Sequence, residues 1–178
     1  MEIILAENHG FCYGVKRAVE MANEAADGKG KSYTLGPIIH NPQVVGRLES
    51  KGVSPIQEVA DIDEGTMIIR SHGVGPAIYA EAEEKGLHIL DATCPHVKKA
   101  QQDAKSVIED GMTLVILGEK NHPEVKSINL WANNKGIIIE DEESAPKLQI
   151  VEKMGVVVQT TFSQFKFNSI IEILEKKS

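Results

Sequence analysis

Two cysteines stand in matching surroundings: Cys12 in HGFCYGV and Cys94, 82 residues later, in DATCPHV. Each follows a short apolar run and stands at or just before a candidate helix start, with Lys16 and Lys98 one turn on. A helix N-terminus lowers a thiol pKa and favours the thiolate. Thiolates are the usual protein ligands of iron–sulfur clusters. The plainer reading is a pair of inert thiols, since free cysteine packs as a small hydrophobe. A lasting Cys12–Cys94 disulfide is not expected. No signal peptide or membrane-length apolar run is visible, so a reducing cytoplasm is the expected location.

Three histidines lie in loops rich in Gly and Pro: His40 in GPIIHNP, His72 in RSHGVG and His122 in EKNHPE. A single loop histidine is usually solvated or satisfied locally. Three at equivalent positions after apolar runs are different. Gly lets the backbone approach a ligand closely, and Pro at a first helical turn leaves the neighbouring N–H groups free. Imidazoles beside helix N-termini suit a phosphate or diphosphate. Glu124, two residues after His122, is a candidate proton donor, although a first-turn glutamate also simply matches the helix dipole. HPE is not the helical zinc-protease motif, whose two histidines are four apart. In QTTFS, Thr160 can bond a substrate oxygen or Glu124, while Thr161 or Ser163 reads as an N-cap. His9, His88 and His96 carry no assignment.

The elements that must position these groups alternate along the chain. Strands are expected at 2–6, 32–36, 52–56, 66–70, 87–91, 113–118, 136–140 and 155–159. Helices are expected at about 14–27, 42–51, 76–86, 95–110, 123–133 and 163–177. Such alternation means βαβ units and a mostly parallel sheet. The chemical residues then fall at the C-terminal ends of strands, where open α/β sheets bind ligands. An internal repeat sharpens this. Gly36, His40, Cys12, Val15, Lys16 and Ala18 recur at the same offset as Gly118, His122, Cys94, Val97, Lys98 and Ala100. A shared offset marks duplicated units, 13–94 and 95–178. The expected domains are therefore α/β lobes over 1–94 and 95–178, with the strand at 2–6 closing a further unit.

Composition bounds the function. The 178 residues, 42% of them hydrophobic, suffice for one large core or two small ones. A net charge of −7 with only 4% aromatics argues against nucleic acid as a partner. The residues alone leave three classes open: an iron–sulfur reductase, a zinc-dependent lyase or hydrolase with Cys/His ligands and Glu124 as base, and a metal-free phosphate-binding module.

Taken in order, GFCYGV, GPIIHNPQVV, RSHGV, DATCP, HPEV and QTTFS resemble the 4-hydroxy-3-methylbut-2-enyl diphosphate reductases along the whole chain. The resemblance implies a three-lobed α/β fold around a 4Fe-4S cluster. It also implies reductive removal of the hydroxyl of (E)-4-hydroxy-3-methylbut-2-enyl diphosphate as water, giving isopentenyl and dimethylallyl diphosphate. By resemblance, Cys12 and Cys94 hold the cluster, and His40, His72 and His122 contact the substrate, the first two near the diphosphate. Glu124 supplies protons, Thr160 touches the substrate, and a ferredoxin- or flavodoxin-type donor supplies electrons. The family pattern has a third cysteine and a Ser/Asn loop in a third lobe. A further step of the same offset reaches Lys176. The expectation is therefore two lobes of three, with incomplete cluster ligation.

Overall fold

The structure is a computed structural model that describes residues 3–7, 9–28, 30–149 and 152–176. Two small parallel sheets with helices on both faces make up the molecule. The first sheet contains β1 (Ser32–Leu35), β2 (Val53–Ile56), β3 (Thr66–Ile69) and β4 (His88–Asp91) in the order β2-β1-β3-β4. Its helices are α1 (Tyr13–Asp27), α2 (Pro42–Ser50) and α3 (Pro76–Glu84). The second sheet contains β5 (Thr113–Leu117), β6 (Ile137–Ile139) and β7 (Met154–Val158) in the order β6-β5-β7. It is covered by α4 (Pro95–Glu109), α5 (Pro123–Trp131) and α6 (Gln164–Glu175). Ser32 pairs with both Val53 and Thr66 in the first sheet, and Val115 with both Ile137 and Val156 in the second.

Strand periodicity explains both cores. On β3, Ile68 packs with Ala18, Ala22, Val44 and Leu48, while its neighbours Met67 and Ile69 pack with Val59, Ile62, Ala82 and Leu87. On β5, Leu114 and Ile116 meet Ala104, Val125 and Ile128, while Val115 and Leu117 meet Ile139, Ile170 and Leu174. Successive side chains point to opposite faces. A parallel strand covered by helices on both faces therefore reads as an unbroken apolar run.

Proline stands at the first turn of α2, α3, α4 and α5. Its fixed φ and missing N–H suit that position, so each helix starts sharply after its loop. Apart from Cys12, which no described strand precedes, the chemical residues thus sit on short connections between the C-terminal end of a strand and the start of a helix.

The N-terminal segment departs from expectation. Residues 3–6 form no strand, and Ile3, Ile4 and Leu5 are 74%, 83% and 76% exposed. Glu2, at the start of the expected strand, lies outside the described residues. An apolar run becomes a strand only where a sheet edge completes its hydrogen bonds, and no described strand pairs with this segment. The end expected at 177 for the last helix also lies outside the described residues.

The fully buried central strands set the stability. Ile116→Ala removes a side chain with no exposure and is expected to cost about 2–5 kcal/mol, measured as a lowered urea midpoint at unchanged m-value.

Candidate functional site

The N-termini of α1 and α4 carry the two thiols. Cys12 caps α1 and Cys94 caps α4, and neither side chain makes a capping hydrogen bond. A Cβ added at Gly14 would lie 2.5 Å from Cys94 Sγ, so the backbone of the first turn of α1 is in direct contact with that sulfur. Arg17 reinforces the contact by donating to the carbonyls of Thr93 and Asp91 at 3.2 and 3.4 Å. Cys94 is also tied to the histidine loops, because its N–H donates to the Ser71 carbonyl at 2.9 Å. Cys12 is exposed and Cys94 partly so.

The three histidines come together. His40 follows β1, His72 follows β3, and His122 caps α5. Their ring centroids are 4.6 Å apart for His40–His72, 5.4 Å for His72–His122 and 6.2 Å for His40–His122. Phe11 and Val15, on either side of Cys12, line a cavity of about 230 Å³ together with His40 and His72. The α1 start, the Cys94 turn and the histidine loops therefore form one continuous neighbourhood.

Protonation decides what the cluster can bind. Burial, then the charges of His40, Arg70 and His122, push His72 down to about 4, so it is a neutral imidazole near pH 7. Its Nδ1 is buried without a hydrogen-bond partner. His122 Nδ1 accepts from the Glu124 N–H at 3.2 Å. In the neutral ring this places the proton on Nε2. Ligand nitrogens of the three rings lie within 4.8 Å of one another, which is close enough for a metal site. A metal on His122 Nε2, however, would have to displace that proton or break the helix cap. With Nδ1 accepting from the helix, a neutral His122 presents an Nε2–H donor, the chemistry that suits an oxyanion.

Glu124 sits deeper, 2% exposed in the first turn of α5. Its Oε1 accepts from the Thr160 N–H at 2.6 Å and its Oε2 from the Thr160 hydroxyl at 2.8 Å. Thr160 is exposed at the end of β7. The pair links a buried carboxylate to a surface hydroxyl, which is the arrangement of a proton relay.

Several positioning residues are invisible in a one-dimensional reading. The Ser127 hydroxyl, buried on α5, contacts the carbonyls of His72 and Glu124 at 2.8 and 2.9 Å and accepts from Gln101 Nε2 at 3.2 Å. Gln159 accepts from the Glu119 N–H at 2.9 Å and donates to Thr161 Oγ1 at 2.8 Å. Ser127 lies one helical turn after Glu124. That spacing was the one available signal, and it equally fits a core-facing residue of any helix.

Two tests follow from this geometry. Gly14→Ala drives a methyl group against Cys94 Sγ and should cost about 1–3 kcal/mol, the range for overpacking. Cys94→Ala in the same chain should recover part of that loss, read as a non-additive double-mutant cycle in urea. The His72 ring should titrate near pH 4 by NMR. Its folded pKa lies below the ordinary histidine value of 6.5, so the unfolded chain binds more protons in between. The stability it contributes is full above about pH 6.5 and is lost as pH falls toward 4.

The comparisons agree with one another. Residues 3–178 match the family model described as LytB protein. The chain is 48% identical over 172 residues to the 4-hydroxy-3-methylbut-2-enyl diphosphate reductase of Geotalea uraniireducens, covering 97% of this chain and 61% of that protein. It is also 48% identical to the same-named protein of Geobacter metallireducens, over 99% of this chain and 63% of the relative. This chain therefore spans about three-fifths of the length of these curated relatives. A solved (E)-4-hydroxy-3-methyl-but-2-enyl diphosphate reductase matches with a TM-score of 0.84 at 44% identity, over 97% of this chain and 63% of that one. The E-1-hydroxy-2-methyl-but-2-enyl-4-diphosphate reductase of Plasmodium falciparum matches with a TM-score of 0.90 at 32% identity, over 96% and 55%. The two-sheet α/β fold, the histidine and cysteine loops and the match over nearly all of its length place this chain in the LytB protein family.

Proposed function

We propose that this chain carries substrate- and cluster-binding parts of a 4-hydroxy-3-methylbut-2-enyl diphosphate reductase. The reaction takes (E)-4-hydroxy-3-methylbut-2-enyl diphosphate, two electrons and two protons to isopentenyl or dimethylallyl diphosphate and water. The observation that carries this reading is the pair of Thr160, after β7, with Glu124 of α5, the helix whose cap His122 belongs to a cluster of three imidazoles. One part can pass protons and the other can hold an anion.

In this reading His40 and His72 donate N–H groups to the diphosphate, and His122 donates from Nε2. Imidazole N–H groups orient an anion, and they act most strongly where water is excluded. The Thr160 hydroxyl contacts the substrate and connects it to the Glu124 carboxyl, the proton source. Cys12 and Cys94 fit as thiolate ligands. They are soft donors at helix N-termini, their side chains are not spent on capping, and Gly14 leaves the sulfur of Cys94 room against the backbone. A bound 4Fe-4S cluster supplies the electron transfer. Cys12 and Cys94 would supply two of its thiolate ligands.

The same reading takes the lobes 1–94 and 95–178 as built on two copies of one α/β unit, 13–94 and 95–178, in a cytoplasmic protein. An external ferredoxin- or flavodoxin-type protein serves as electron donor. The order β2-β1-β3 in the first sheet matches β6-β5-β7 in the second, which supports the duplication, with β4 as the first sheet's additional strand. No helix among the described residues is long and apolar enough to cross a membrane.

The test is anaerobic reconstitution followed by metal and sulfide analysis. Iron with acid-labile sulfide is expected, and should fall to background when Cys12 and Cys94 are both changed to Ser. Zinc without sulfide would instead support a hydrolase or lyase. The diphosphate substrate should bind, and His40→Ala with His72→Ala should weaken it at least tenfold, about 1.4 kcal/mol. With a reduced viologen dye as electron source, Glu124→Gln should slow turnover by about 10²- to 10⁴-fold while leaving diphosphate affinity unchanged.

A further inference from the structure

A second cavity, of about 340 Å³, lies beside the histidine cluster and contains none of its rings. Arg70 and Lys126 line it, with the carboxamides of Gln57 and Asn121 and the apolar side chains of Ile78 and Leu130. No carboxylate is among the described residues that line it. That is unexpected in a chain with 26 acidic and 19 basic residues. Arg70 makes no side-chain hydrogen bond or ion pair with the described residues, and its Nε is buried without a partner. Leaving a buried donor unpaired costs about 1–3 kcal/mol, more when it is charged.

The internal repeat shows what a satisfied residue looks like at this place. Arg70 directly follows β3, and Gln159 directly follows β7. Each packs on the glycine that follows the central strand, Arg70 on Gly36 and Gln159 on Gly118. Those glycines pair identically, Gly36 N–H with the Ile56 carbonyl and Gly118 N–H with the Ile139 carbonyl. Gln159 is satisfied by the Glu119 N–H. The residue after Gly36 is Pro37, which has no N–H, and a guanidinium could not accept one. The first half therefore keeps a cation with unused donors where the second half has a neutral amide that accepts the N–H of the residue after Gly118.

We propose that this cavity is an anion site, distinct from the histidine cluster, that takes a small phosphate or diphosphate ester with a short hydrocarbon part. A guanidinium fork beside a lysine point charge matches a multi-oxygen anion. The carboxamides add neutral donors, and Ile78 and Leu130 offer an apolar wall. The volume lies within the range of small-molecule pockets, about 300–1,000 Å³.

The molecule contains its own reporter. Its single tryptophan, Trp131, donates from Nε1 to the carbonyl of Val74 at 2.9 Å, and Val74 lines the cavity. The experiment titrates the chain with inorganic diphosphate and, separately, with orthophosphate and isopentyl monophosphate. Trp131 fluorescence and calorimetry are followed together. The expected result is a fluorescence-linked binding event that Arg70→Gln weakens at least tenfold and that His40→Ala with His122→Ala leaves within threefold. Arg70→Gln installs the residue the repeat already uses, so it should keep the wild-type urea midpoint. Lys126→Gln, on the exposed face of α5, should weaken the same event without any effect on folding. Tighter binding of isopentyl monophosphate than of orthophosphate is expected from the apolar wall; equal affinity would overturn the ester assignment. No fluorescence-linked event at millimolar diphosphate, or one unaffected by Arg70→Gln and Lys126→Gln, would overturn the site. The histidine-dependent event, read by calorimetry, reports separately on the proposed reductase site. Either can fail while the other stands.

Discussion

The hydroxyl of Ser127 is the contact on which the site depends. It is buried on α5 and faces the carbonyls of His72 and Glu124, with Gln101 of α4 donating to it. One proton serves two carbonyls, and a lone pair takes the amide. Through this single group, the loop after β3 of the first sheet is held against the helix that carries His122 and Glu124. The same loop is fastened twice more. Trp131 donates to the Val74 carbonyl, and Gly75 packs so closely on Leu130 that an added Cβ would lie 2.8 Å from it. Gly73, with φ of 71°, turns the chain where a side chain would strike Gln101. These contacts make the spacing of the three imidazoles a property of the sheet-to-sheet packing.

That packing also sets the electrostatics. Bringing His72 beside His40, His122 and Arg70 in a partly dry place removes its charge near neutral pH. His72 then acts through an N–H dipole, and the orientation of the His122 ring is fixed by a helix terminus, since the Glu124 N–H donates to His122 Nδ1. Glu124 completes the chain of dependence. Its backbone orients His122, its carbonyl meets Ser127, and its carboxylate takes both donors of Thr160. One buried residue thus couples the anion-facing group to the hydroxyl at the end of β7.

Sequence periodicity carried most of the architecture. β1 to β7 and all six helices follow from short apolar runs and from proline at the first turn of four of the helices. The segment at 3–6 has the same composition as a strand and forms none. Its hydrogen bonds depend on a neighbouring edge, and composition does not report neighbours. The positions of the candidate site residues were legible in outline. Cys94, His40, His72, His122, Glu124 and Thr160 stand where strand ends meet helix starts, a rule that local pattern alone expresses, while Cys12 precedes a helix with no described strand before it. Ser127, Gln101 and Gln159 were not, because a buried polar residue on a helix or at a strand end looks like any other until its partner is known.

By itself, then, the sequence determined the order of elements, the duplicated pattern of cysteine and histidine loops, and the chemical types available at each strand end. Those depend on short-range periodicity, backbone stiffness at Pro and the side chains themselves. Only the tertiary structure decided which of these groups meet, which nitrogen of His122 holds its proton, that His72 is neutral, and that Arg70 lies unpaired where its counterpart Gln159 is satisfied. Each of these is a matter of distance and burial between segments far apart in the chain. Hydrogen bonding and charge depend on who stands within a few ångströms and on how much water remains there, and neither is encoded at any one position.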